Sequence, residues 1–201
     1  MKDIKEYKIK SNDSYYFIFE IIEDNTTELV IYDDKQKNKL GSLTYSYNSL
    51  DTFLDYEIDN LKKETLNEEL ISKLENFSKK IKTKDNIIYI NDILIEEDFR
   101  NKGIGSVLFN LFGELLKEDI ELGFNDSIYL NACPTDEYSN NSIPLDSLIE
   151  FYKSFGFKVF YHQGVNANMF LFNTTDFFKK NSVKIIKNKK TKQNKTFSMK
   201  V

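Results

Sequence analysis

The amino-acid sequence predicts an α+β fold in which a mixed central β-sheet is flanked by helices. Three observations support this class. The first 50 residues contain three segments that are rich in β-branched and aromatic residues. Two apolar segments then alternate with two segments of helical periodicity, and two short aromatic segments close the pattern.

The N-terminal segments are typical of an antiparallel meander. They lie at 14–22, 28–34 and 39–48, and the turns "EDNTT" and "DDKQKN" between them are polar. A helical insertion follows at about 59–82, where large apolar residues recur mostly at helical spacing.

A strand–helix–strand unit is expected at the centre of the chain. The nearly continuous apolar run "NIIYINDILI" at 86–95 is typical of a strand that is covered on both faces. After a five-residue loop a helix begins within "GIG" at 103–105, and "SIYLNAC" at 127–133 predicts a second buried strand. Such a unit makes the expected sheet a mixed one.

A third helix and two closing strands complete the predicted sheet. In "PLDSLIEFYKSFGF", Phe151, Tyr152 and Phe155 share one side of a helix, which Gly156 ends as a C-cap. The closing segments "KVFYHQ" and "NMFLFN" are aromatic strands. They could pair across a two-fold axis, so a homodimer is one open alternative.

Length and composition fit a soluble globular protein. The 201 residues are 40% hydrophobic and 30% charged, which favours one domain with a full core. We expect that domain to span residues 1–180, with a basic and flexible tail at 181–201. The sequence has no apolar N-terminal region and no run of 18 apolar residues, and its single cysteine fits a reducing compartment. These features predict a cytoplasmic protein without a membrane span.

Charge is unevenly distributed along the chain. The net charge is −4, yet nine lysines and no acidic residue follow Asp176. The remaining residues are strongly acidic, which argues against nucleic-acid binding except through the tail, because phosphates would be repelled.

The only arginine, Arg100, stands three residues before a Gly-Ile-Gly sequence, in a chain that has 27 lysines. The start of a helix exposes unpaired backbone N–H groups and the positive end of the helix dipole, and glycines allow a ligand to approach closely. The guanidinium adds a planar fork that can bind two phosphate oxygens. This combination predicts a phosphate or pyrophosphate site.

Two other phosphate-binding motifs are excluded. A P-loop requires Gly-Lys-Ser/Thr at its end, whereas here the lysine precedes the glycines. A dinucleotide fingerprint requires a third glycine, and this sequence has Leu108 at that position.

The segment "ILIEEDFRNKGIGSVLF" at 93–109 resembles the Arg/Gln-x-x-Gly-x-Gly/Ala signature of the GNAT superfamily of acetyl-CoA-dependent N-acyltransferases. The segment "LIEFYKSFGF" at 148–157 resembles the second recurring block of that family. The resemblance covers residues 86–172, is weaker before them and is absent from the tail.

The resemblance implies a GNAT-like fold in which the strands at 87–95 and 127–133 splay apart around acetyl-CoA as cosubstrate. The loop at 100–105 would bind the pyrophosphate, and the edge of 93–95 would pair with the pantetheine arm. The cofactor-binding residues so implied are Ile93, Leu94, Ile95, Arg100, Asn101, Lys102, Gly103, Ile104, Gly105, Ser106 and Asn131.

Three further residues are candidates for catalysis. Tyr152 matches the family's tyrosine, whose hydroxyl would assist departure of the coenzyme thiolate, although it could instead be a core residue. Asn91 and Asp92 are the only polar pair inside their strand, and the family often has a glutamate in place of Asn91. We expect a water held by Asn91 or reaching Asp92 to take the amine's proton; alternatively, Asp92 is a buried structural acid.

The resemblance implies an N-acetyltransferase that moves acetyl from acetyl-CoA to a primary amine within a ternary complex. The acceptor would be an amine-bearing small molecule, protein or peptide. A non-catalytic module that binds coenzyme A is the alternative. We expect no metal site, a buried and inert Cys133, and a His162 that is satisfied within a strand.

Overall fold

The computed structural model describes residues 2–11, 14–49, 53, 55–56, 58–59, 62, 68–78, 86–118, 127–134, 143–162, 164–171 and 184–186. The elements in these ranges are β1 (Lys2–Ser11), β2 (Ser14–Glu23), β3 (Thr26–Tyr32), β4 (Lys39–Ser49), α1 (Glu68–Ser78), β5 (Asn86–Ile95), α2 (Ile104–Glu118), β6 (Ser127–Ala132), α3 (Leu145–Ser154), β7 (Lys158–His162), β8 (Ala167–Leu171) and β9 (Lys184–Ile186).

The predicted α+β class and mixed sheet are confirmed. The strands of the described ranges are hydrogen-bonded neighbours in the order β7-β8-β6-β5-β4-β3-β2-β1-β9. Strands β5 and β6 pair in parallel, whereas β1–β2, β2–β3, β6–β8 and β7–β8 are antiparallel. Within the described ranges, no helix is long and apolar enough to cross a membrane.

The chain divides into two compact units. The first contains residues 1–45, 92–118 and 181–201, and the second contains residues 46–91 and 119–180. The boundaries cut through β4 after Tyr45 and through β5 after Asn91, so each of these strands contributes residues to both units.

The first unit contains a strand that the sequence analysis did not predict. Strand β1 pairs with β2 along its whole length, from Lys2↔Glu23 to Ser11↔Ser14. From Tyr7 to Lys10 apolar residues alternate with lysines, and Ile9 is fully buried. The lysines suit a strand close to the edge of a sheet, where they discourage unwanted pairing, but they also make the segment look like a polar terminus.

Residues 184–186, which belong to the predicted tail, form the short strand β9. It pairs antiparallel with β1 from Lys8↔Ile186 to Lys10↔Lys184. The other tail residues lie outside the described ranges, so the flexibility expected of them stays a prediction.

Helix α2 is anchored in the first unit by apolar residues. The helix was predicted from its periodicity, and Leu108 and Leu111 of the predicted apolar stripe are fully buried. Phe109, which lies outside that stripe, is fully buried as well. Phe112 is also fully buried, and its ring lies 5.0 Å from that of Tyr45 on β4. Each such side chain contributes about 1.5–3 kcal/mol to stability. This burial fixes where the helix starts.

The turn between β3 and β4 is organised by one carboxylate. Asp33 accepts hydrogen bonds from the backbone N–H groups of Lys35 and Lys37, and from the side-chain amide of Asn38. The bond from Lys37 has the largest effect and, with the others, lowers the pKa of Asp33 from its ordinary value. The carboxylate therefore helps to set the start of β4.

The second unit is built around an aromatic cluster. Tyr129 lies at its centre, with ring centroids 4.9 Å from Phe53 and 4.7 Å from Phe170. The stacked ring of Tyr89 lies 5.3 Å away, and Ile71 of α1 packs against the same cluster. Helix α1 therefore covers the face of the strands that carries Tyr89 and Tyr129. The parts of the predicted helix at 59–82 that precede and follow α1 lie largely outside the described ranges.

Candidate functional site

The segment between β5 and α2 is a tight turn held by its own backbone. Glu97–Phe99 form one turn of 3₁₀ helix, in which the Phe99 N–H donates to the carbonyl of Glu96 at 2.8 Å. The Arg100 N–H donates to Glu97 in the same way, at 3.2 Å. The Glu96 N–H donates to the Leu40 carbonyl of β4 at 3.1 Å, which attaches the turn to the sheet.

Helix α2 begins with unpaired backbone donors, as predicted. The Val107 N–H donates to the carbonyl of Gly103 at 3.1 Å, which makes Gly103 the N-cap. The N–H groups of Ile104, Gly105 and Ser106 therefore have no acceptor within the helix. A serine, threonine, aspartate or asparagine at the N-cap can place a side-chain oxygen over these donors, but a glycine N-cap has no side chain to do so.

The loop before the helix needs two left-handed residues. Gly103 has φ +79° and Asn101 has φ +58°. A Cβ at Gly103 would meet no atom within 4 Å, so conformation rather than space requires a glycine there. Asparagine is among the few other residues that adopt this conformation readily.

Two cationic side chains flank this helix start. The Nε–H of Arg100 donates to the carbonyl of Ile95 at 3.1 Å, so the side chain folds back onto the end of β5. The Lys102 ammonium lies 5.3 Å from the centre of the Phe99 ring, in a cation–π contact. Both charges therefore lie in the segment between β5 and the first turn of α2, residues 96–103.

Strand β5 loses one neighbour before it ends. Its parallel pairing with β6 runs from Ile87↔Ser127 to Ile90↔Leu130, and in the described ranges it goes no further. On its other side β5 continues along β4, and Leu94 remains 37% exposed. The last residues of β5 thus have a backbone edge that β6 does not pair with.

Gly41 of β4 is a site residue that the sequence analysis missed. A Cβ at this position would collide with the carbonyl oxygen of Leu94, and it would lie 2.9 Å from Cδ1 and 3.3 Å from Cα of Ile95. Only a glycine lets β4 approach the end of β5 so closely. A glycine inside an otherwise regular strand pattern was the available signal.

Asn91 and Asp92 are both exposed, although adjacent strand residues point to opposite faces. The alternative that Asp92 is a buried structural acid is therefore wrong. The Oδ1 of Asn91 accepts a hydrogen bond from the Ser46 hydroxyl at 3.1 Å, and Ser46 in turn accepts one from the Asn48 amide at 3.4 Å.

Asn131 lies near the carboxyl end of β6 and is exposed, with Asn168 of β8 opposite it in the antiparallel register. Asn168 is 8% exposed, and its Oδ1 accepts the hydrogen bond of the buried Tyr129 hydroxyl. Amide side chains therefore occupy corresponding positions on neighbouring strands of the second unit.

Tyr152 lies in the last turn of α3 and is 9% exposed. Gly156, at φ +97°, ends the helix as predicted. The Gly156 N–H donates to Lys153 at 2.9 Å, and the Phe157 N–H donates to the Tyr152 carbonyl at 3.3 Å, which is a Schellman motif. The Tyr152 ring also lies 6.1 Å from that of Phe157, so backbone and ring are both held.

The predicted residues fall into two groups. Asp92 and the cofactor residues from 93 to 106 belong to the first unit, whereas Asn91, Asn131 and Tyr152 belong to the second. Cys133 is exposed, so the expectation of a buried thiol is wrong: the thiol follows the last residue of β6. The described ranges contain no group of His, Cys, Asp or Glu side chains arranged to hold a metal.

Comparisons with known proteins give similarities of fold. No protein-family model and no curated protein matches the chain. Among solved structures, a bacterial toxin is 15% identical, with 74% of this chain and 68% of that chain covered at a TM-score of 0.46. The structure of Arabidopsis thaliana NAA60 in complex with a bisubstrate analogue is 16% identical, with 74% of this chain and 75% of that chain covered at a TM-score of 0.42.

An N-acyl amino acid synthase from uncultured soil microbes, FeeM, is 10% identical, with 75% of this chain and 68% of that chain covered at a TM-score of 0.41.

Replacing Gly41 by alanine should destabilise the protein by about 1–3 kcal/mol, because the new methyl group must push the backbone of β5 away. Thermal unfolding of both proteins measures the change. Gly164→Ala is the matched control, since its φ of +85° adds backbone strain but its Cβ meets nothing. A Gly41→Ala protein as stable as the parent would contradict the close approach of the strands.

Proposed function

We propose that the chain is an N-acetyltransferase that moves the acetyl group of acetyl-CoA to a primary amine by direct attack in a ternary complex. The observation that carries the proposal is the glycine-capped start of α2, which presents unpaired amides directly after Arg100 and Lys102. The motif resemblance at 93–109 supplies the chemistry that such an anion site would serve.

The start of α2 would bind the pyrophosphate of the coenzyme. The backbone N–H groups of Ile104, Gly105 and Ser106 can donate to phosphate oxygens without displacing a side-chain cap. Hydrogen bonds to a charged group contribute about 1.5–3 kcal/mol each, more than bonds between neutral groups. The positive end of the helix dipole adds a further favourable term.

Arg100 would bind the Ile95 carbonyl and a phosphate at the same time, which one lysine could not do with the same geometry. Its Nε–H is bonded to the Ile95 carbonyl, which holds the loop against the strand. The rest of the rigid guanidinium fork would then donate to the phosphate. This double requirement gives a physical reason for an arginine in a chain that otherwise uses lysine.

The edge of β5 would hold the pantetheine arm. Because pairing with β6 ends at Ile90, the backbone of Ile93, Leu94 and Ile95 can take an added strand, and such pairing depends little on side chains. Gly41 supports this arrangement from the other side by setting the position of Leu94 and Ile95.

Tyr152 would act as the acid. The amine lone pair attacks the thioester carbonyl carbon, the C–S bond breaks, and its electron pair passes to sulfur. A phenol can donate a proton or hydrogen bond to the departing thiolate, since the pKa of tyrosine is ordinarily about 10. The C-cap of α3 would hold this hydroxyl in position.

The proton lost by the amine would pass through water to Asp92. The Oδ1 of Asn91 is bonded to Ser46, and an amide cannot serve as a base. Asp92 is the exposed carboxylate next to it. The acceptor would be an amine-bearing small molecule, protein or peptide.

Position 91 carries an amide and not a carboxylate, which also favours a second candidate function, a module that binds coenzyme A without catalysis. Acetyl-CoA consumption with a panel of amines separates the two functions. Saturable binding with no turnover for any amine would favour the module.

Arg100→Lys should weaken coenzyme A binding by about tenfold, because the lysine keeps the charge but loses the fork. Isothermal titration calorimetry measures the dissociation constant. Lys35→Arg, in the β3–β4 turn, controls for a lysine–arginine exchange outside the loop. Unchanged affinity in Arg100→Lys would show that a point charge is sufficient.

Tyr152→Phe should lower kcat by about 100-fold while leaving coenzyme affinity nearly unchanged, because only the proton donor is lost. Steady-state kinetics and calorimetry give the two quantities, and Tyr56→Phe is an exposed control. If Tyr152→Phe lowers only the melting temperature, the residue belongs to the core and not to the mechanism.

A further inference from the structure

One face of the hairpin formed by β1 and β2 combines lysines with aromatic rings. Tyr15, Phe17 and Phe19 occupy alternate positions of β2, so they share a face. In the antiparallel register Lys8 is opposite Phe17, and Lys10 is opposite Tyr15. We call Lys8, Lys10, Tyr15 and Phe17 the basic aromatic patch.

The opposite face of the hairpin belongs to the core of the first unit. Ile9 and Ile18 lie on that face and are fully buried. Lys5 lies there too, and its ammonium is paired with the buried Glu20 at 3.5 Å. The basic aromatic patch is on the accessible face, where Tyr15 is 40% exposed and the other three residues are half-buried.

Cations and rings of the patch are in direct contact. The Lys8 ammonium lies 5.0 Å from the centre of the Tyr15 ring and 5.4 Å from that of Phe17, and the Lys10 ammonium lies 5.6 Å from the Tyr15 ring. Two positions on one strand separate the lysines by about 7 Å. Proteins that bind single-stranded nucleic acids combine these two features, because cations follow the phosphates while bases stack on the rings.

The C-terminal segment brings further lysines to the edge of this hairpin. Strand β9 pairs with β1 from Lys8↔Ile186 to Lys10↔Lys184. Six more lysines and no acidic residue follow Ile186 in the sequence. This basic segment therefore starts beside the patch, and its charge counters the repulsion that the acidic remainder of the protein exerts on phosphates.

We propose that the basic aromatic patch binds single-stranded nucleic acid, with bases stacked on Tyr15 and Phe17 and phosphates held by Lys8 and Lys10. This inference is independent of the proposed acetyl transfer. Contacts with phosphates and with the flat faces of bases carry little sequence information. Binding should therefore tolerate any sequence and either sugar.

Two other anionic surfaces fit the patch less well. A membrane surface takes up apolar side chains that project from the protein, whereas Phe17 is half-buried and Tyr15, the more exposed ring, ends in a hydroxyl. A duplex keeps its bases stacked on one another, so it would use the lysines but not the rings.

The stacking contact is tested by the fluorescence anisotropy of a labelled oligouridylate of about twelve nucleotides with the full-length protein. Tyr15→Leu should weaken binding about tenfold because a stacked base is lost, whereas Tyr15→Phe keeps the ring and should stay within about twofold of the parent. Tyr56→Leu, at an exposed tyrosine of the second unit, is the matched control. Parent-like affinity in Tyr15→Leu would overturn the inference.

A double variant measures the contribution of charge without changing the rings. With Lys8→Gln and Lys10→Gln together, the slope of log affinity against log salt concentration should fall in magnitude by about 0.7 for each lysine. Lys35→Gln with Lys37→Gln removes the same charge from the β3–β4 turn and should leave the slope nearly unchanged. Equal slopes in the two double variants would contradict a phosphate contact at the patch.

Competition identifies the ligand and its site. Unlabelled oligothymidylate should displace the oligouridylate as well as oligouridylate itself does, while a duplex of the same length should be much weaker. Saturating coenzyme A should leave the affinity unchanged, because its proposed site uses other residues. Displacement by coenzyme A, by vesicles that contain phosphatidylserine, or equally by the duplex would refute the proposal, and the first result would assign the oligonucleotide to the start of α2.

Discussion

The account depends on the burial of α2, which holds the first turn of the helix at a fixed place after β5. Leu108, Phe109, Leu111 and Phe112 are all fully buried, so the helix cannot slide or fray without exposing several large side chains. Its unpaired amides are consequently fixed donors. Donors that are already in place lose little entropy when an anion binds, which is the physical basis of a good phosphate site.

The two units contain different kinds of polar groups. The first unit contains the groups that suit an anion, namely the helix start, Arg100 and Lys102. The second contains uncharged amides, a rigid aromatic cluster and a buried tyrosine at a capped helix end. Asn91 and Asp92 are consecutive residues of β5 that belong to different units.

Much of this arrangement is predictable from sequence. Helical periodicity predicted α2 and α3, and the apolar run "NIIYINDILI" predicted the bounds of β5. Gly103 was predicted at the start of a helix and Gly156 at the end of one, because glycine readily adopts the left-handed conformations found there. Such signals are local, since each residue acts through its own backbone.

The features that escaped prediction depend on distant partners. Gly41 matters because of Leu94 and Ile95, more than fifty residues away in the chain, and Ser46 matters because of Asn91. Strand β1 was not predicted, because its many lysines make the segment look like a polar terminus and only its pairing with β2 shows that it is a strand. Exposure of Cys133 depended on the strand ending one residue earlier, at Ala132.

The central claim is that the amides at the start of α2 bind a diphosphate. A titration with coenzyme A, followed through the backbone amide signals of the ¹⁵N-labelled protein, tests it most directly. The account predicts large saturable shifts at Ile104, Gly105 and Ser106, with small ones at the distant β2–β3 turn. Saturation of the protein with no shift at these three amides would contradict it.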